Sequence, residues 1–337
     1  MNNKYYKMEE AQQRINNWIS GSLDLYGLEL TVFPDNLPLG LQKLYLSDNY
    51  ITEIPDNLPQ SLQQLNLGGN KLTEIPDNLP QSLQILDLDS NQITEIPDNL
   101  PPGLRELYLD SNKITEIPDN LPLDLQRLDL RNNKIIEIPD NLPQGLPELY
   151  LRNNKITEIP DNLPPGLQWL DLGGNKLTEI SDNLPQILRW LYLSNNQITK
   201  IPDNLPQGLQ ELNLNNNKIT EIPDTLPQSL QWLNLNNNKI TEIPDTLPQS
   251  LQWLNLKNNY ITEGYRINGV CCYDNNVYLF NNKTEYSKFY QLKLKHTIRQ
   301  IIKIQKWLKK CFYKKHLYYC KEKLQEPLIA NLIFKFL

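Results

Sequence analysis

The sequence predicts a solenoid of short parallel strands stacked along one face and closed by an extended return on the other, and three features of the text predict it. The first is an unbroken period. In the unit L-x-L-x-x-N the asparagines stand at Asn49, Asn70, Asn91, Asn112, Asn133, Asn154, Asn175, Asn196, Asn217, Asn238 and Asn259, always 21 residues apart. Self-similarity at a fixed spacing is the mark of stacked repeat units. The second is alternation: in runs such as Leu44-Tyr45-Leu46 every other residue is leucine, so one side of a short strand faces inward and the other outward. The third is the second half of each unit, I-T-E-I-P-D-N-L-P, whose prolines and lack of helical period give an extended or polyproline-like return on the convex side. One unit cannot bury its leucines alone. Units stacked about 4.8 Å apart share a core and curve, with a parallel sheet lining the concave face.

Taken in chain order, residues 1–22 predict a helical cap. Met8, Ala11, Ile15, Trp18 and Ile19 are spaced as one helix face, and Gly21 closes it. The opening MNNKYYKMEEAQQ is polar, with no apolar signal-peptide core, and no stretch approaches a membrane span, so a cytoplasmic protein is expected. Residues 23–263 hold the repeats: Leu23, Leu25, Leu28, Leu30, Phe33 and Pro34 keep the register of a degenerate first unit, with Leu28 in the asparagine position, and eleven full units follow. An amide recurring inside an apolar frame needs partners, and the backbone of neighbouring units would supply them, making a buried asparagine ladder. Residues 264–286 form a C-terminal cap, with Gly269 to Phe280 as a hairpin around Asp274-Asn275-Asn276. Residues 287–337 are a basic amphipathic helical tail: Ile301, Ile304, Leu308 and Phe312 fall on one face among lysines, and Pro327 is a stop.

Charge separates the chain into two physical objects. After Glu263 there are 15 basic and 4 acidic residues, which leaves 18 basic and 35 acidic before it, so the parts carry −17 and +11. The glutamates of T-E-I-P form one outer column and the aspartates of P-D-N/T another, a solvated face that keeps nucleic acid off the repeats. All four cysteines, Cys271, Cys272, Cys311 and Cys320, and both histidines follow the repeats, which excludes Ser/His, Cys/His and zinc chemistry within 1–263. No catalytic residue, metal ligand or cofactor is expected, and the chain reads as a non-enzyme.

Variation among the units is spent on the strand face. Its first column reads Lys43, Gln64, Ile85, Glu106, Arg127, Glu148, Trp169, Trp190, Glu211, Trp232, Trp253, which holds four of the six tryptophans. Tyr108, Tyr150 and Tyr192 lie beside them on the same face. Toward the N-terminal side come Asp87, Asp89, Glu106, Asp110 and Asp129, then Arg131 and Arg152. Rings in such numbers mark a protein interface, or they stack in register and stiffen the sheet; both readings stand at this point.

The pattern L-x-x-L-x-L-x-x-N-x-I/L followed by T-E-I-P-D-N-L-P resembles the leucine-rich repeat family over 23–263. It is most similar to the short repeats of secreted bacterial effectors, and its composition is similar to repeat proteins of giant viruses infecting amoebae. The resemblance implies a leucine-rich repeat solenoid that binds a protein partner on the concave face, where the variable columns of this chain nominate Trp169, Trp190, Trp232, Trp253, Tyr108, Tyr150, Tyr192, Arg131 and Arg152. In the tail, Ile304, Gln305, Lys309, Lys314 and Leu317, with Trp307 among them, partly match the IQ motif, although Lys310 stands where its glycine is usual. That implies a calmodulin-like partner. A basic amphipathic helix also suits an anionic membrane surface, nucleic acid or the acidic repeats themselves. The expected function is a non-enzymatic interaction module with a second contact through the tail; the alternative is an adaptor whose tail recruits a catalytic partner or a membrane surface.

Overall fold

Each unit makes only three residues of strand, because two residues after them the chain turns sharply into the ladder asparagine. The computed structural model describes residues 2–261, 266–267, 270–273 and 276–279. In it the strands are β1 Ser22–Asp24, β2 Lys43–Tyr45, β3 Gln64–Asn66, β4 Ile85–Asp87, β5 Glu106–Tyr108, β6 Arg127–Asp129, β7 Glu148–Tyr150, β8 Trp169–Asp171, β9 Trp190–Tyr192, β10 Glu211–Asn213, β11 Trp232–Asn234 and β12 Trp253–Asn255. They form one 12-stranded parallel sheet in sequence order. Every junction repeats one register, so a residue pairs with its counterpart 21 positions on, as Leu149 does with Leu170 and Leu191 with Leu212. The degenerate first unit contributes β1, paired with β2 from Ser22↔Lys43 to Asp24↔Tyr45.

The leucine at the centre of each strand points into the core, and the residues before and after it point to the concave side. In the unit that begins at Leu146, the side chains of Leu146, Leu149, Leu151, Ile156, Ile159 and Leu163 are buried. Each such side chain taken from water contributes about 1.5–3 kcal/mol. The residue before the ladder asparagine is left-handed, as at Asn132 (φ 54°), Asn153 (φ 57°) and Asn216 (φ 57°), and glycine takes the same place at Gly69 and Gly174. Asparagine tolerates that conformation better than other side chains with a Cβ.

The ladder asparagines from Asn49 to Asn238 are buried, Asn259 at the end is partly so, and each satisfies backbone that the turns leave unpaired. Asn154 Nδ2 donates to the Leu130 carbonyl of the preceding unit at 2.9 Å and to the Leu151 carbonyl of its own at 3.0 Å. Its Oδ1 accepts the Ile135 amide at 3.0 Å. The same set recurs from Asn49 to Asn259. One amide therefore ties two consecutive turns, and the fold is stitched along its length rather than closed at any one place.

On the convex side the prolines replace strand with two tight turns per unit. The Leu146 amide bonds the Pro143 carbonyl at 3.0 Å, and Asn162 Nδ2 reaches the Asp140 carbonyl of the unit before at 3.1 Å. Glutamates such as Glu53, Glu116 and Glu179 are exposed there.

The open N-terminal edge is met by a helix, α1 Asn2–Asn16. Ala11 and Ile15 are buried against the first turn, and Met8 and Trp18 pack partly on it. Arg14 Nη1 also donates to the Asp24 carbonyl of β1 at 2.9 Å, satisfying an edge acceptor. Ile19 departs from the expected helix face: α1 ends at Asn16, the helical period stops with it, and Ile19 is 91% exposed. Beyond the repeats, β13 Arg266–Ile267, β14 Val270–Tyr273 and β15 Asn276–Leu279 form a small antiparallel sheet, and Tyr273↔Asn276 closes the hairpin. β15 lies beside β12.

Candidate partner-binding face

Because alternate strand residues point to the concave side, its chemistry is a grid whose columns run across the strands. Three regions follow one another. The first is acidic: Asn66 Nδ2 bonds Asp87 Oδ2 at 2.8 Å, Asp87 Oδ1 accepts the Asp89 amide at 3.1 Å, and Asp89 Oδ1 accepts the Asp110 amide at 2.6 Å. Burial, and then the charge of Asp87, push the Asp89 carboxyl from 3.8 up to about 7. Burial likewise raises Asp87 and, further along, Asp171. The folded chain thus holds a proton on Asp89 over a range in which the unfolded chain has lost it, so this group favours folding less as pH rises from about 4 to about 7. Asp89→Asn is expected to raise the denaturation midpoint more at about pH 8 than at about pH 5, read by urea melts at both.

The second region is basic in composition but largely self-neutralised. Asp129, fully buried, accepts Nε and Nη2 of Arg131 at 2.8 and 2.7 Å. That pairing holds the Arg131 guanidinium firmly in its charged form. Arg127 bonds Glu148 Oε2 at 3.0 Å and lies between two rings, its Cζ 4.3 Å from the Tyr150 centroid and 5.2 Å from that of Tyr108. The tyrosine hydroxyls donate to carboxylates, Tyr108 to Glu106 at 2.6 Å and Tyr150 to Glu148 at 3.1 Å. Burial pushes Tyr150 up to about 12 despite the nearby Arg127 charge. Of the two arginines singled out in the sequence, Arg131 is engaged within the sheet, and Arg152 is exposed.

The third region is aromatic. Tyr150 meets Trp169 at a centroid distance of 5.8 Å, Trp169 meets Trp190 at 5.4 Å and stacks on Tyr192 at 5.1 Å, and Trp232 stacks on Trp253 at 4.4 Å with planes 5° apart. Trp232 and Trp253 thus stack in register, Trp169 and Trp190 meet in register at a tilt, and Tyr150 and Tyr192 reach Trp169 from the neighbouring column. The rings still present surface: Trp169, Trp190, Tyr192 and Trp232 are half-buried, and Trp253 is 38% exposed. Tyr192 donates to Glu211 Oε2 at 2.6 Å. The sandwich around Arg127 is not visible in the columns, because Arg127 is in register with Glu106 and Glu148 and only the lean of its side chain brings it between Tyr108 and Tyr150. The tail residues Ile304, Gln305, Trp307, Lys309, Lys314 and Leu317 lie outside the described residues. Among the described residues, no helix is long and apolar enough to cross a membrane.

Comparison with known proteins agrees with this geometry. Models described as leucine rich repeat match residues 40–93, 102–156 and 144–198, one described as leucine rich repeats in two copies matches 188–227, and another leucine rich repeat model matches 229–249. Among solved structures, a chain of the octameric complex of Latrophilin 3, Unc5D and FLRT2 (LRR) is 32% identical, with 69% of this chain and 79% of that chain covered and a TM-score of 0.62. The leucine-rich effector YopM of Yersinia pestis is 31% identical, covering 75% of this chain and 88% of the other, with a TM-score of 0.51. A leucine-rich repeat protein of Leptospira interrogans is 28% identical over 76% of this chain and 88% of its own, with a TM-score of 0.56. No curated protein sequence matched. With the period, the parallel sheet and the asparagine ladder in agreement with these matches, the chain belongs to the leucine-rich repeat family.

Proposed function

We propose that the chain is a non-enzymatic protein-binding module of the cytoplasm that takes its partner on the concave face. The observation that supports this best is the concentration of Trp169, Trp190, Tyr192, Trp232 and Trp253 on one surface while the convex columns barely vary from unit to unit. Tryptophan and tyrosine are the usual anchors of protein contacts, since they bury large rigid area at little entropic cost. That a similar chain stands in a complex with other proteins favours the same reading. Affinity capture by the full chain, repeated with Trp190 and Trp232 replaced by alanine, tests it: a partner retained equally by both is not held on this face.

The tail supplies a second contact, and the spacing of Ile304-Gln305, Lys309, Lys314 and Leu317 favours a calmodulin-like protein over an anionic membrane surface. A partner lobe would take the apolar side of a helix, and its acidic rim would meet the lysines. The fluorescence of Trp307 in a peptide of residues 298–317 is expected to shift to the blue on adding calmodulin, and joint substitution of Ile304 and Gln305 is expected to abolish the shift. Binding to anionic vesicles without binding to calmodulin would reassign the tail to membrane contact, and with it the adaptor reading would gain.

A further inference from the structure

Twice on the concave sheet a pair of rings stands two strands apart, one pair filled by a cation that leans in from the strand between and the other holding a carboxylate on the strand between. In the filled one, Tyr108 on β5 and Tyr150 on β7 stand two strands apart, and the Arg127 guanidinium of β6 lies between them, 5.2 and 4.3 Å from the two centroids. Glu148 pairs with it at 3.0 Å. Two strand spacings amount to about 9.6 Å, which a flat cation divides into two ring contacts, each inside the roughly 6 Å reach of a cation–π interaction. The chain thus shows with its own arginine what such a space accommodates.

In the second pair, Trp190 on β9 and Trp232 on β11 stand two strands apart, and Glu211 on β10 is in register with both. Each indole is braced from the far side, Trp190 by Trp169 at 5.4 Å and Trp232 by Trp253 at 4.4 Å. Between them is a carboxylate in place of a cation. Tyr192 donates to Glu211 Oε2 at 2.6 Å, and among the described residues no lysine or arginine forms an ion pair with it. Burial, and then the bond to Glu211, keep the Tyr192 hydroxyl protonated and donating, so the carboxylate is held in one orientation.

We propose that Trp190, Glu211 and Trp232, oriented by Tyr192, form a notch that receives the guanidinium of an arginine side chain on the bound protein. A guanidinium is planar, weakly hydrated and able to offer two N–H groups to one carboxylate while its faces meet the indoles. A lysine ammonium is compact and strongly hydrated, and gains less from the same walls. The proposal rests on the concave-face reading and names the side chain by which that face selects its partner.

The test uses the full chain labelled with ¹⁵N, in which the indole N–H signals of Trp190 and Trp232 are assigned by single replacement with phenylalanine. The probes are acetyl-Gly-Arg-Gly-amide, its lysine counterpart and its neutral citrulline counterpart. The arginine peptide is expected to move both assigned signals and leave that of Trp18 in place. The citrulline and lysine peptides, and the arginine peptide on Glu211→Gln protein, are expected to bind about tenfold more weakly. No shift with the arginine peptide at about 10 mM, equal shifts with citrulline or lysine, or shifts untouched by Glu211→Gln would each overturn the notch. Should a captured protein partner still require Trp190 and Trp232 in that event, the concave-face reading stands and only the arginine assignment fails.

Discussion

Asn154→Leu is expected to lower stability by about 1–3 kcal/mol, because it orphans one buried backbone amide and removes one of the two side-chain bonds that each of two buried carbonyls accepts. The orphaned amide is that of Ile135, 3.0 Å from Asn154 Oδ1, whereas the carbonyls of Leu130 and Leu151 keep the bonds from Asn133 and Asn175. Leucine fills much of the same volume, so the experiment separates hydrogen bonding from packing. Asn259→Leu is the internal comparison: it makes the same bonds at the far end of the array, where they are only partly buried, and water can replace them. Urea melts of both variants should show a large fall in midpoint for Asn154→Leu and a small one for Asn259→Leu. In a stacked array the loss is also expected to split the transition, since units on either side of the damaged junction no longer melt together. An unchanged midpoint for Asn154→Leu would remove the ladder from the account of stability.

For binding, the largest expected effect belongs to the two indoles that border Glu211. Trp190→Ala and Trp232→Ala should each weaken a concave-face partner by about 2 kcal/mol, roughly 30-fold, if they act as anchors. Each also strips the brace from a neighbour, Trp169 or Trp253, so the pair of substitutions should not add simply. The melting of the double variant should change little by comparison, because both side chains lie on the half-buried outer surface of the sheet and not in the leucine core. Glu179→Ala on the convex side serves as the control that should leave binding alone. Equal binding by the double variant would move the interface elsewhere on the molecule.

The period made the fold readable because each unit states every requirement again: leucine where the core is, asparagine where two turns meet, proline where strand must stop. Even the degenerate unit was legible, since Leu23, Leu25, Leu28, Leu30, Phe33 and Pro34 keep the register, and β1 pairs with β2 in it. Ile19 was not legible, because helical spacing continues past the residue at which the helix ends, and nothing in the text marks Asn16 as its last. On the concave face the sequence aligned Arg127 with Glu106 and Glu148, and the tyrosines with Asp129. It did not say that Arg127 and Arg131 would spend their charge within the sheet, because that depends on which way long side chains lean across neighbouring strands. Asp129 reads as one more surface carboxylate, and only the geometry shows it fully enclosed beneath Arg131.

Since every junction uses the same register and the same asparagine bonds, any interior unit is acceptable to any neighbour. Loss or duplication of one 21-residue block within the array would therefore preserve the joints while sliding the acidic and aromatic regions apart or together by about 4.8 Å, one strand at a time. Near-identical blocks in a gene also recombine readily with one another. The architecture thus turns a copying error into a change in the spacing of a binding surface, with the scaffold that carries it left whole.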